Sequence, residues 1–340
     1  MRPIAHLLSV MLAAVTTPSL APPTPGPIGI AQPSRVLRTR FDADRVYVIV
    51  RARNGAALEL YTDTGGGMLI SADAARRAGL SVRRPPDSAA AAEFGPGARI
   101  ADPPALAAGE PAPPFPGTVP MAVVTNVSEI PGWPAQGDGI VGQAWFAGHV
   151  WTWDYPAHTL TLRPNGWHPA TGHSTPLGFH LALGRRDLNF PRVVVRVDGA
   201  ALSLLLDTGA ETFLSPAALA AVHDGGPAFR AASMIAHTVF ERWHAAHPDW
   251  PVIDSAQVVT HSRMIRVPHL EIAGIAVGPV WFTERSDANF HTFMSAMTDA
   301  RVDGSLGGNA LAGLAMTLDY PDAEAWFSCE RACGPALPGR

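Results

Sequence analysis

Two stretches of this 340-residue chain carry the same three residues in the same setting. Asp63-Thr64-Gly65 ends a run that starts Asn54-Gly55-Ala56-Ala57-Leu58, and Asp207-Thr208-Gly209 ends a run that starts Asp198-Gly199-Ala200-Ala201-Leu202. A carboxylate can take a proton from water while a carboxylic acid polarises a carbonyl. Two carboxyl groups a hydrogen bond apart can do both. They cannot both ionise cheaply, so they share one proton and titrate in two separated steps. The hydroxyls of Thr64 and Thr208 can tie the two loops together. Gly65 and Gly209 allow a tight backbone whose amides reach the carboxylates. Asp63 and Asp207 are therefore the candidate catalytic pair, with Thr64, Gly65, Thr208 and Gly209 in support. One Asp-Thr-Gly is an ordinary turn sequence; a duplicated context is what singles these out.

The duplication sets the elements that must position them. Within the first block the offset is constant, 207 − 63 = 144, and the match runs on to Ser71 and Ser215. A second block, Asp138-Gly139-Ile140-Val141-Gly142, matches Asp303-Gly304-Ser305-Leu306-Gly307, and Asp154-Tyr155-Pro156 matches Asp319-Tyr320-Pro321, both at 303 − 138 = 165. The second half thus carries 165 − 144 = 21 extra residues between its blocks, which we expect near Phe240 to Asp254. The β-branched runs Arg45 to Arg53 and Arg192 to Val197 read as strands. Asn54-Gly55 and Asp198-Gly199 read as two-residue hairpin turns, and Leu58 to Thr62 and Leu202 to Leu206 as the returning strands. Each Asp-Thr-Gly then sits in a loop just past a hairpin. A short strand (68–71; 212–215) and a short helix (72–78; 216–222) follow in each half. Residues 165–176 read as the join.

With these residues in hand, the chain resembles the pepsin and retropepsin superfamily of aspartic peptidases. Leu204-Leu205-Leu206-Asp207-Thr208-Gly209-Ala210 resembles that family's active-site loop, and Asp138 to Gly142 its second glycine-containing strand, which threads beneath the loop. The resemblance implies an all-β, bilobal fold of two similar barrel-like lobes with short helices, meeting at the active site. It implies an aspartic endopeptidase that needs water and no cofactor or metal, and acts on a peptide or protein. The retroviral enzymes need two chains because each supplies one Asp-Thr-Gly; this chain supplies both, so a monomer is expected. Three features depart from the pattern. Gly66 stands where Ser, Thr or Ala usually follows the triplet, which implies that one side-chain contact to the first carboxylate is missing. Ser305 interrupts an apolar pair. None of the four tyrosines, Tyr47, Tyr61, Tyr155 and Tyr320, falls where a pepsin flap carries one. A glycine-tipped flap at Phe94, Gly95 and Gly97 is the alternative. A peptide-binding protein on the same fold, weak or inactive as a catalyst, is the rival reading. A glycosidase also uses a carboxylate pair, but not in duplicated Asp-Thr-Gly loops.

Composition agrees with an exported globular chain. Hydrophobic residues make up 47% and charged residues 16%, enough apolar content for a large core. The net charge of −4 comes without a run of like charges, so neither nucleic acid nor an anionic membrane is an expected partner. Arg2, the apolar run Ile4 to Val15 and the small residues after it read as a signal peptide over 1–31, giving a secreted or periplasmic protein with no membrane attachment after its removal. The competing reading is a buried N-terminal helix. The expected organisation is then a first lobe over 32–166, a second over 167–330 and a tail over 331–340. Cys329 and Cys333 could form a small terminal disulfide, or stay free. His237, His244 and His247 could suggest a metal, but read more simply as helix-surface residues, and Trp145, Trp151, Trp153 and Trp243 as core or cleft wall.

Overall fold

Alternating burial shows why the first hairpin strand of the second half forms where it does. Along Arg192–Val197, Val193, Val195 and Val197 are buried while Val194 and Arg196 face outward, the period-two pattern of a half-covered sheet. This strand pairs antiparallel with Ala200–Leu206, as Arg45–Arg51 pairs with Ala57–Thr62. The computed structural model describes residues 33–86, 97–127 and 137–335. The architecture is all-β and bilobal, with short helices. Residues 1–32, where a signal peptide is expected, and the last five residues lie outside the described residues. Among those described, no helix is long and apolar enough to cross a membrane.

The two hairpins do not turn alike. Asp198 and Gly199 both take positive φ (50° and 75°), as a two-residue turn of this hand requires. In the first half the strands stop at Arg51 and resume at Ala57, so Asn54-Gly55 belongs to a wider loop. The side chain of Asn54 holds that loop open: its Nδ2 donates to Arg77 O (2.9 Å), and its Oδ1 accepts from the Ala56 amide (3.1 Å).

The returning strand of each lobe runs parallel to the Asp-Gly strand: Leu60 faces Gly139, and Leu204 faces Gly304. A third strand lies antiparallel on the far side of it, Leu69–Ser71 in the first lobe and Ser233–Ala236 in the second. Ile70 faces Gly139 and Ile235 faces Gly304, so here the two lobes already correspond at 235 − 70 = 165. The amides of Ser71 and Ala236 likewise donate to Asp138 O and Asp303 O, both at 2.8 Å. The offset therefore changes between Ala210 and Ala232. Residues 211–231, 231 − 211 + 1 = 21 of them, are the extra length, and the Ala232 amide donates to Ala210 O at 2.9 Å to close the neck.

This corrects the expectation that the insertion lies near Phe240 to Asp254. That region holds the helix His237–Ala246, which follows its strand as the helix Ala72–Arg77 follows Leu69–Ser71. The insertion itself is a strand (Glu211–Phe213), a helix (Pro216–Val222) and a strand (Phe229–Ala231) paired back on the first. The sequence match between Ser71 and Ser215 is local. Each serine caps a helix, accepting from the Ala74 amide (3.1 Å) or the Ala218 amide (3.2 Å), and a serine cap before an alanine-rich turn looks the same wherever its ladder sits.

The lobes join through one six-stranded sheet. At its centre Val150–Asp154 pairs antiparallel with Leu314–Asp319, and Thr152 faces Thr317. These two threonines are counterparts (317 − 152 = 165), and their hydroxyls lie 2.9 Å apart in a buried hydrogen bond. A residue can pair with its own counterpart only on a twofold axis, so the pseudo-twofold passes between them. Trp145, Trp151, Trp153, Tyr155 and Tyr320 are buried in the core on this framework. Within the join, His173–Pro176 is an edge strand of the same sheet. Gly334-Pro335, expected in a tail, pairs with Ile275–Val277 instead. Cys329 and Cys333 are disulfide-bonded.

Candidate active site

Each Asp-Thr-Gly leaves its strand at the edge of the lobe and meets the other across the axis. The Asp63 amide donates to Val141 O and the Asp207 amide to Leu306 O, both at 3.0 Å, so each loop is anchored on its own Asp-Gly strand. The threonines cross over. Thr64 Oγ1 donates to Leu206 O (2.7 Å) and Thr208 Oγ1 to Thr62 O (3.0 Å). Each hydroxyl also accepts from the other threonine's amide, at 3.0 and 3.2 Å. Both threonines are fully buried, where four hydrogen bonds fix one relative placement of the loops and each unmade one would cost about 1–3 kcal/mol.

The glycines serve close approach. The Gly65 amide donates to Asp63 Oδ1 (3.0 Å) and the Gly209 amide to Asp207 Oδ1 (3.1 Å). A Cβ on Gly65 would stand 2.6 Å from Asp207 Cγ, and one on Gly209 would overlap the Asp63 carboxyl. Each glycine therefore leaves room for the other lobe's aspartate. Beneath them, a Cβ on Gly142 or Gly307 would overlap the carbonyl of Gly66 or of Ala232, so the Asp-Gly strand passes directly against the loop.

The carboxyls of Asp63 and Asp207 share a hydrogen bond. Asp63 is buried and Asp207 half-buried. Burial pushes Asp207 up to about 6, while the bond to Asp63, the Gly209 amide, Ser305 and the Ala210 amide pull it down. Such a pair can hold one proton and one charge near the acid side of neutrality and can activate a water between them.

Gly66 matters differently from the sequence expectation. A Cβ there would fall inside the Asp63 carboxyl itself. A serine at 66 has no space to donate to Asp63 unless that carboxyl moves, so Gly66 is a steric allowance for Asp63 and not merely a lost donor.

Of the flap residues, Phe94 and Gly95 lie outside the described residues. Gly97 is in a turn with φ 79° just before Ile100–Ala101, a strand that pairs with Val82–Arg83. His237, His244 and His247 do not converge. His237 bonds Glu284 (2.6 Å), and His247 stacks on Trp250. His237, Glu241 and Glu284 do cluster, but these carboxylates are already paired, both with Arg263 and Glu284 also with His237. Asp154 and Asp319 each accept from an amide three residues on (2.9 Å) and shape their turns. Asp138 binds the Glu59 amide (3.0 Å) and Arg77.

Three contributors escaped the sequence reading. Tyr61, two residues before Asp63, donates to Thr208 O across the junction (3.2 Å). Gln143 Oε1 accepts from the Asn189 amide of the second lobe (2.8 Å). The turn at Ala43-Asp44 seats against the insertion, where the Ala231 amide donates to Ala43 O (3.0 Å), and the Arg45 guanidinium lies over the Phe229 ring at 4.3 Å. None has a sequence signal beyond polarity, since each acts on a residue far away in the chain.

No family model matches the chain, and no curated protein does. Among solved structures it is similar to EDGP, at 10% identity and a TM-score of 0.41, covering 88% of this chain and 96% of that one. It is also similar to basic 7S globulin from soybean, at 10% identity, a TM-score of 0.44 and the same coverage. Similarity at that level assigns neither activity nor ligand to this chain.

Proposed function

We propose that the chain is an aspartic endopeptidase in which Asp63 and Asp207 activate one water for attack on a peptide carbonyl. The observation that carries the reading is the hydrogen-bonded carboxyl pair, one from each lobe, held by the crossed threonine bonds. In the singly charged pair, one carboxylate takes the water's proton as the other carboxylic acid donates to the carbonyl oxygen. The tetrahedral intermediate then collapses as the amide nitrogen receives a proton from the pair. Thr64, Gly65, Thr208 and Gly209 keep the two groups in register. We place the protein outside the cytoplasm and acting as a monomer, on the strength of the N-terminal run and of both triplets lying in one chain.

Gly66 favours a second reading, a protein of the same fold that holds peptides without cutting them. The Asp63 carboxyl fills the space beside residue 66, and a glycine there offers it no side-chain hydrogen bond of its own. Incubation with a denatured protein at acidic pH, read by mass spectrometry, separates the two. The peptidase reading expects cleavage that is blocked by an inhibitor carrying a hydroxyl between the carboxyls and is untouched by a chelator. The binding reading expects the inhibitor to bind with no cleavage at all. Cleavage stopped by chelator and indifferent to the hydroxyl inhibitor would sink both.

A further inference from the structure

The two lobes are not equivalent beneath their aspartates. At the centre of the Asp-Gly strand the first lobe has Ile140 and the second has Ser305, related by 305 − 140 = 165. Ile140 packs with Tyr47, Tyr61 and Val127 in a small apolar cluster. Ser305 faces Leu205 in the parallel ladder, two residues before Asp207. It is completely buried, and its Oγ completes no hydrogen bond of ordinary geometry in this arrangement. A buried hydroxyl without a partner is costly to keep. Yet the same hydroxyl lies near enough to Asp207 to favour that carboxyl's charged form.

The hydroxyls of Thr64, Thr208 and Tyr61 at the junction are committed. Thr64 Oγ1 and Thr208 Oγ1 donate to Leu206 O and Thr62 O, and Tyr61 donates to Thr208 O. The residues that follow the triplets, Gly66 and Ala210, carry none. Among the described residues the buried phenols of Tyr155 and Tyr320 also lack a partner, but Ser305 is the one whose hydroxyl favours the charged form of Asp207.

We propose that Ser305 is a positioning residue of the dyad, whose hydroxyl turns to donate to Asp207 whenever that carboxyl is charged. The proposal rests on the peptidase reading for its kinetic consequence, but not for the hydrogen bond itself. One-sided support sets where the pair gives up its shared proton. Burial alone drives Asp207 towards its neutral form; the hydroxyl opposes burial and holds the upper step lower than a dry pocket would. The other groups facing Asp207 are Asp63 across the junction and Tyr155, whose fully buried phenol is raised far above its usual range and stays neutral. The amides of Gly209 and Ala210 do not titrate. A shift on removing the Ser305 hydroxyl therefore reports that hydroxyl.

The test compares the whole protein with S305A and S305T, using carbon-13-labelled aspartate and NMR titration, with D63N and D207N to assign the signals. Alanine removes one oxygen and fills the same space. We expect the upper step of the pair to rise by about one pH unit in S305A, the scale of one hydrogen bond to a charged group. We expect the basic limb of kcat/KM to rise with it, and S305T, which keeps the hydroxyl, to stay near the wild type. Titration curves of S305A and wild type that superimpose overturn the proposal. If the NMR step moves but no variant and no wild type cleaves peptide, Ser305 keeps its role and the peptidase reading is what fails.

Discussion

At the scale of the residue, Asp207 carries the most instructive conflict. Its loop donates two amides to it, yet burial outweighs them and lifts it to about 6 from an ordinary 3.8. A raised carboxyl binds more protons in the folded than in the unfolded state between those two values. Stability from this group is therefore fully present below about pH 4 and is lost as pH rises through about 6. Asn cannot ionise and has nearly the same shape. D207N should accordingly raise the melting temperature above pH 6, with the gain shrinking to nothing below pH 4. Thermal unfolding followed over that range checks this, and a gain that is constant with pH would mean that Asp207 is not strained by its charge. The site was legible at this scale because Asp, Thr and Gly have few substitutes for their roles. Gly65 and Gly209 are needed because each abuts the opposite aspartate, a long-range fact that no window of sequence contains.

At the scale of the element, the repeat located the hairpins, the triplets and the Asp-Gly strands, and then misplaced the extra 21 residues. The reason is physical. Helix capping is a local interaction, so Ser71 and Ser215 look equivalent although only Ser71 ends a strand on the Asp-Gly ladder. Ladder partners come from more than sixty residues away, and a single sequence is silent about them. The insertion has a visible task once placed. The Val258 amide donates to Phe213 O (2.9 Å), the Ser215 amide to Ala256 O (2.7 Å), and Gln257 Nε2 to Thr212 Oγ1 (2.8 Å). It therefore pins the loop between Val252–Ile253 and Met264–Val267. In ladder order this loop is the counterpart of the one between Val82–Arg83 and Ile100–Ala101 in the first lobe. Joining Ala210 directly to Ala232 removes the insertion at a neck that is already hydrogen-bonded. The expected product folds, with lower stability because Ala256 and Met264 lose the buried packing that Leu214 and Ala218 give them. New protease-sensitive bonds should appear within 254–263, detected by limited proteolysis and mass mapping. If that loop stays as resistant as in the intact protein, the pinning contacts are incidental.

At the scale of the whole molecule, one chain reproduces the symmetry of a dimer. The axis marked by Thr152 and Thr317 runs through the shared sheet, and the two triplets meet across the lobe junction. Three departures from symmetry fall in the second lobe or face it: the insertion, Ser305 opposite Ile140, and Gly308, where the chain comes so near Asp44 O that a Cβ would overlap it. Bilobal β architecture was readable from the duplication because two copies of one hydrophobic pattern need two similar cores. The interlobe contacts of Gln143, Ala43 and Arg45 were not, because each joins positions with no shared motif.

The most direct measurement is hydrolysis of a denatured protein at acidic pH by the wild type, D63N and D207N, followed by mass spectrometry over a range of enzyme concentrations. The shared dyad expects wild-type turnover per molecule that does not change with concentration. It also expects each single substitution to reduce that turnover by at least about a hundredfold, the lower end of what a positioned acid or base contributes, while circular dichroism shows both variants folded. Near-normal cleavage by either variant, or a rate per molecule that climbs with concentration, would contradict a catalytic pair assembled within one chain.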